Sequence, residues 1–240
     1  MALSRSAVRK KTKGLITETW QSQANLSLFL VLQVLIAFIL PSIGFGKDDL
    51  RLYSDVGFSV MLISGVAIAW GRRWIFLIAA VVGGVTLVVR WTAFWNHTPK
   101  LALLSDGCAV AAVLVISFVL LAQVFRDGVI THLRIQGAIA VYLLFGVGWA
   151  HAYQIVSVLH PGAFTVPPGE VALAGDWIYF SYVTLTTVGY GDITPVQPVA
   201  RTLAVGEALT GQLYLAVLIA RLVAMEIVFW QQKATRDSDR

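Results

Sequence analysis

The sequence predicts an all-α integral membrane protein with six transmembrane helices and one further, re-entrant helix. Three observations predict it. Apolar residues make up 58% of the 240 and charged residues only 13%, about half the charged share of an ordinary soluble domain. The mean hydropathy is +0.76, so the chain cannot cover itself with polar surface and its solvent is largely lipid. The apolar residues also gather into stretches of roughly 20, the length that crosses a bilayer as a helix.

Leu26–Phe45 is the first stretch. A basic run (Arg9, Lys10, Lys11, Lys13) precedes it, as in a signal peptide. The run is of full spanning length, however, and Pro41–Gly46 offers no small-x-small cleavage site, so it reads as a retained span. Residues 1–24 read as a cytoplasmic N-terminal segment, in which Leu15–Ala24 suits an interfacial helix with Trp20 at headgroup level. Tyr53–Trp70 is a short second span. Trp74–Phe94 is the third, with Arg90 near its outer edge, where an arginine can snorkel. Gly107–Phe125 is the fourth, Ile135–Leu159 the fifth and Val199–Phe229 the last.

Trp177–Thr187 is too short to span and reads as re-entrant. Ahead of it, His160–Gly175 holds Pro161, Pro167, Pro168 and three glycines, the composition of a turret-like coil. The polar end of the chain reads as a short frayed cytoplasmic tail with no ligand-binding domain. Four regions result: 1–24, a four-helix part 25–134, a two-span part 135–230 and a tail 231–240.

The net charge of +5 does not indicate nucleic acid, because the basic residues lie dispersed between apolar spans. They read as topology determinants. With the N-terminus inside, 13 Lys and Arg fall on the cytoplasmic side and 5 outside, so both termini are expected in the cytoplasm of a multi-pass cell-membrane protein. The one cysteine, Cys108, excludes an intrachain disulfide and a thiolate cluster and reads as a buried small hydrophobe. His97, His151 and His160 near the outer face and His132 at the inner read as ordinary interfacial histidines rather than pH sensors. No metal-ligand cluster, phosphate-binding glycine loop or triad points to an enzyme.

Asp176–Pro195 reads DWIYFSYVTLTTVGYGDITP. Non-helical backbone at membrane depth is tolerated only where it is buried in protein or lines a water-filled path. In Thr187-Val188-Gly189-Tyr190-Gly191, glycines alternate with other residues. Glycine reaches conformations closed to the rest, so successive carbonyls can point one way. Rings of such carbonyls replace the hydration shell of a cation.

Thr187–Gly191 is identical to the selectivity-filter signature of potassium channels, and Thr184–Pro195 resembles that family's pore loop throughout. The resemblance implies a tetrameric channel of the six-span, voltage-gated-like family. The short loops and tail resemble those of bacterial channels. It implies that the carbonyls of Thr187, Val188, Gly189, Tyr190 and Gly191, with the Thr187 hydroxyl, bind K+, and that no organic cofactor is needed. Tyr190 would brace the filter against the pore helix and Asp192 would stand at the outer mouth. Tyr182, Thr184, Thr186 and Glu207 would support the filter from behind. One chain supplies one loop and a ring needs four, so three identical subunits and membrane lipids are the expected partners. The pore helix would point its C-terminal, negative end at the axis, with Asp176 as its N-cap.

Gly211 stands where similar channels carry a hinge glycine; close packing is the equal alternative, since a helical glycine costs about 1 kcal/mol against alanine. Gln212, Leu215, Ile219 and Val223 share one helical face, expected to line the cavity with Ile219 or Val223 at an apolar constriction. Glu207, ionisable inside a span, is a functional residue by default. Its expected role is to bond behind the filter to hydroxyls of Ser181, Thr184 or Thr186. Ser105–Phe125 holds no Lys or Arg, whereas steep voltage gating needs several charges at about 2.3 kcal/mol per 100 mV each. A weakly voltage-dependent or voltage-independent channel is expected. A non-conducting regulatory subunit is the alternative; an intact filter speaks against it.

Overall fold

A computed structural model describes residues 25–39, 47–69, 73–96, 98–125, 131–166 and 174–238. The N-terminal segment with its expected interfacial helix, His97, Arg126, Pro167 and Pro168 lie outside the described residues. Helix α1 spans Asn25–Ile39, its last turn a π-helix over Leu35–Ile39. Then come α2 (Lys47–Ile68), α3 (Arg73–Asn96), α4 (Pro99–Val124) and α5 (His132–Leu159). A two-residue strand β1 (Phe164–Thr165), α6 (Ala174–Leu185), strand β2 (Thr194–Pro195) and α7 (Pro198–Ser238) complete the chain.

Four of these helices, α3, α4, α5 and α7, are long and apolar enough to cross a membrane. This is an all-α, multi-pass membrane protein. The apolar part of α2 is Leu52–Ile68, and α1 is described only to Ile39, so both are shorter than a full span over the described residues.

Lipid is as apolar as leucine, so helices in a bilayer associate by close packing of small residues and by buried hydrogen bonds. The antiparallel α4–α5 pair is built this way. A Cβ on Gly137 would stand 3.1 Å from Val124, and one on Gly148 3.1 Å from Val113. Ala109, Ala112, Ala140 and Leu144 are buried in the same cluster. Helix α1 joins it through Phe29, fully buried, and through Gln33 Nε2, which donates to the Ala140 carbonyl at 3.2 Å. Helix α3 joins α4 through Thr86, whose hydroxyl lies 2.8 Å from Val82 O and 3.1 Å from Cys108 O. Cys108 itself is half-buried rather than buried.

Four expectations change. The turret coil contains order: β1 pairs antiparallel with β2, Phe164 opposite Pro195 and Thr165 opposite Thr194. A two-residue ladder is below what periodicity can reveal. The chain end is helical to Ser238 rather than frayed from residue 231. Residues 225–238 hold no Pro or Gly, and Trp230 Nε1 donates to Glu226 at 2.8 Å one turn back. Helix α4 begins at Pro99, so Asp106 lies within it and is buried. Arg90 does not snorkel: its Nε lies 2.7 Å from Asp55 Oδ1, an ion pair off the hydrogen-bond axis, and its guanidinium sits 4.4 Å from the Phe58 ring centroid.

Candidate ion-conduction site

Helix α6 is short because its apolar face runs only from Trp177 to Leu185. Trp177 and Phe180 bury against Tyr153 and Phe164, with Phe164–Trp177 and Tyr153–Phe180 ring centroids each 4.8 Å apart. Ser181, Tyr182 and Leu185 bury against α5. Tyr182 donates to Leu143 O at 2.8 Å across Gly146, where a Cβ would overlap its ring. Tyr182 thus faces α5. Asp176 lies in the first turn and not at the N-cap, because the helix already starts at Ala174; a carboxylate there still favours the helix's positive end.

The chain leaves α6 in an ordered way. Thr186 N donates to Tyr182 O at 3.0 Å and Thr187 N to Thr184 O at 2.9 Å. Val188 N and Gly189 N both reach Val183 O, at 2.9 and 3.3 Å. The Thr186 hydroxyl donates back to Tyr182 O at 2.6 Å. Beyond this point the backbone alternates in hand. Thr187 has φ +60°, Gly189 +60° and Gly191 +83°, while Val188 and Tyr190 keep negative φ. A left-handed threonine costs roughly 1–2 kcal/mol, and such strain gathers at functional sites. Alternation over five residues lets consecutive carbonyls face one side. All five are exposed in the single chain.

Two supports flank the loop. The Tyr190 ring stacks on Tyr179 of α6, with centroids 6.4 Å apart and planes within 3°. The Tyr179 hydroxyl donates to Asp192 Oδ2 at 2.7 Å, and Ile193 N donates to its Oδ1 at 2.9 Å. The Tyr179 hydroxyl, first of all, holds the exposed Asp192 carboxyl below the usual carboxylate range. Downstream, Val196 N bonds to Ala163 O at 2.8 Å, and Arg201 Nε to Pro195 O at 3.3 Å.

Glu207 is fully buried behind the loop. The Tyr153 hydroxyl donates to its Oε2 at 2.5 Å. The Ser181 hydroxyl lies 2.5 Å from its Oε1 and 2.7 Å from Gly146 O, one proton between two acceptors. Of the hydroxyls expected around Glu207, Ser181 is there; Tyr153, on α5, was not foreseen. Gly211 packs against the end of α6 so closely that a Cβ would overlap the Leu185 carbonyl oxygen. Gln212 Nε2 reaches the Thr187 hydroxyl at 3.4 Å, and Leu215, Ile219 and Val223 are exposed along the same helix.

His151, expected as an ordinary interfacial histidine, is instead buried and paired across α4 and α5. His151 Nδ1 of α5 lies 2.9 Å from Asp106 Oδ1 of α4. Asp106 carried the signal, an ionisable residue among apolar ones, but stood one position outside the expected fourth span.

Residues 137–227 match the family model described as an ion channel. The chain is 39% identical to Protein LctB of Bacillus caldotenax over 87 residues, 34% of this chain and 64% of that protein. It is 35% identical to the inward rectifier potassium channel Kirbac3.1 of Paramagnetospirillum magnetotacticum over 81 residues, 34% of this chain and 24% of that one. With the voltage-gated potassium channel of Aeropyrum pernix it shares 32% identity over 89 residues, 37% of this chain and 27% of that one. The chain thus spans less than two thirds of the length of these relatives. No solved structure gives a significant match. Residues 137–227, which carry the whole loop and the helices around it, are thus similar to the ion-channel family, and the relatives matched in this stretch include potassium channels.

Proposed function

We propose that this chain is one of four identical subunits of a potassium-selective channel, and that Thr187–Gly191 forms its filter. The alternation of backbone hand over these residues carries the proposal. It suits a column of oxygen rings, the hard-ligand arrangement that replaces the hydration shell of K+. The five residues are exposed in one chain, while the N–H groups of Thr187, Val188 and Gly189 are bonded back to α6. At membrane depth such backbone must border protein or a water path, and four copies around an axis supply both. Helix α7 supports the same assembly, since only 6% of its central stretch is buried within the chain, against 50% for α5.

In this reading the chain crosses the cell membrane six times with both termini cytoplasmic. Helix α6 is the pore helix. Tyr179, Tyr190 and Asp192 brace the outer filter; Thr184 and Thr186 hold its inner end, and Tyr182 and Glu207 hold α6. Gln212 and Leu215 line the cavity, Ile219 and Val223 form an apolar constriction, and Gly211 gives α7 its close seat on α6. Helix α4 has no Lys or Arg after Lys100, and Arg90 is tied to Asp55. Little charge is therefore free to move in the field, and voltage dependence is weak or absent.

The test is flux into liposomes reconstituted with the purified protein, driven by potassium or by sodium, with Gly189→Asp as control. Potassium flux well above sodium flux and lost in the variant is expected. Equal flux of both ions, or flux untouched by the variant, would overturn the reading.

A further inference from the structure

Two buried polar ties meet α5 from different sides at one level. Towards α4, His151 bonds to Asp106 at 2.9 Å, the residues 9% and 6% exposed. Two positions on, Tyr153 bonds to Glu207 at 2.5 Å, both fully buried. Residues two apart on a helix point about 200° from each other. Helix α5 therefore stands as a wall with one tie on each side, and together they fix its rotation and height. The rest of the α4–α5 contact is small residues and methyl groups, which hold helices together without ionisable partners. An ionisable pair added to such an interface is expensive and marks function by default.

We propose that Asp106 and His151 are positioning residues for the filter. They hold α5 where Tyr153 meets Glu207, and Glu207 in turn holds Ser181. Ser181 lies two residues before Val183, whose carbonyl receives the N–H groups of Val188 and Gly189. The four-helix part of the chain thereby acts on ion selection at the filter. This inference rests on the conduction reading above. A competing route exists at the other end of the molecule: Arg221 Nη2 lies 3.4 Å from Phe125 O, joining the end of α4 to α7 at the level of Ile219 and Val223.

The experiment is a double-mutant cycle on the full chain in liposomes, read as the ratio of potassium to sodium flux. Asp106→Ala and Tyr153→Phe should each lower the ratio at least threefold. The double variant should fall no further than the worse single one, because both act on one element. Exchanging the partners, Asp106→His with His151→Asp, should restore the ratio to within twofold of wild type. If Asp106→Ala does not insert, Asp106→Asn takes its place. A ratio unmoved by the Asp106 variant, with total flux altered, assigns the pair to the inner constriction and overturns the inference. So does a double variant whose loss is the product of the single losses. A wild-type chain without potassium preference overturns the conduction reading and this inference together, whereas a selective wild type with an unmoved Asp106 variant overturns this inference alone.

Discussion

Gly211→Ala separates a packing glycine from a hinge. The new methyl group would overlap the Leu185 carbonyl oxygen, a backbone atom at the C-terminal end of α6. A side chain could rotate away; this atom moves only if α6 or α7 moves. Overpacking costs roughly 1–3 kcal/mol, and a rigid neighbour places the cost near the top of that range, about 3 kcal/mol. Alanine returns about 1 kcal/mol of helix propensity. The net loss is about 2 kcal/mol, or a fall in Tm of roughly 4–8 °C for a chain of this size. The assay is thermal unfolding by circular dichroism in detergent. Gly84→Ala is the control, in mid-α3 with nothing within 4 Å of its Cβ position, so it should gain about 1 kcal/mol from propensity alone. A Gly211→Ala protein that melts at or above the wild-type temperature while losing flux would refute the packing argument and restore the hinge.

Glu207→Ala leaves the Tyr153 hydroxyl without its buried acceptor, while the Ser181 hydroxyl keeps Gly146 O. At roughly 1–3 kcal/mol for one unsatisfied buried group, a loss of about 1–3 kcal/mol is expected in the same melt, and Glu207→Gln should recover more than half of it. Tyr179→Phe removes the donor that lowers the Asp192 pKa. A depressed carboxyl stabilises fully above its ordinary value near 4 and loses that effect as pH falls through its folded-state value. The variant should therefore be less stable than wild type at pH 7, with the gap closing below about pH 4; a gap constant from pH 7 to pH 3 would count against the Asp192 contact. Tyr214→Phe breaks the bond to Ala138 O at 2.7 Å and should cost about 1 kcal/mol in the melt. Currents across a voltage ramp should rise without a steep sigmoid, since α4 lacks internal basic residues; steep activation would contradict this.

Much of the architecture is written locally and was legible. Composition sets the solvent, run length sets the spans, and a short apolar run after prolines marks α6. The loop was legible because glycine alternation is a covalent property, and the positive φ of Gly189 and Gly191 is what glycine permits. The stripe Gln212, Leu215, Ile219 and Val223, which we propose lines the cavity, follows from helical period alone. Other features were not legible, because they depend on what lies across an interface. Thr187 is left-handed although nothing in its side chain asks for it; the bonds of Val188 N and Gly189 N to Val183 O hold the turn there. Gly211 read equally well as hinge or contact until Leu185 O appeared beside it. Glu207 announced a partner but not which one: Ser181 is 26 residues away and Tyr153 is 54. Asp106 and His151 are 45 residues apart on different helices, and only the antiparallel register of α4 on α5 makes them a pair. The sequence by itself determined which segments leave water and which backbone can alternate, because both are properties of neighbouring residues. Tertiary structure decided which buried polar groups satisfy one another, because in lipid each such group must find a partner and the helix register alone says which one is in reach.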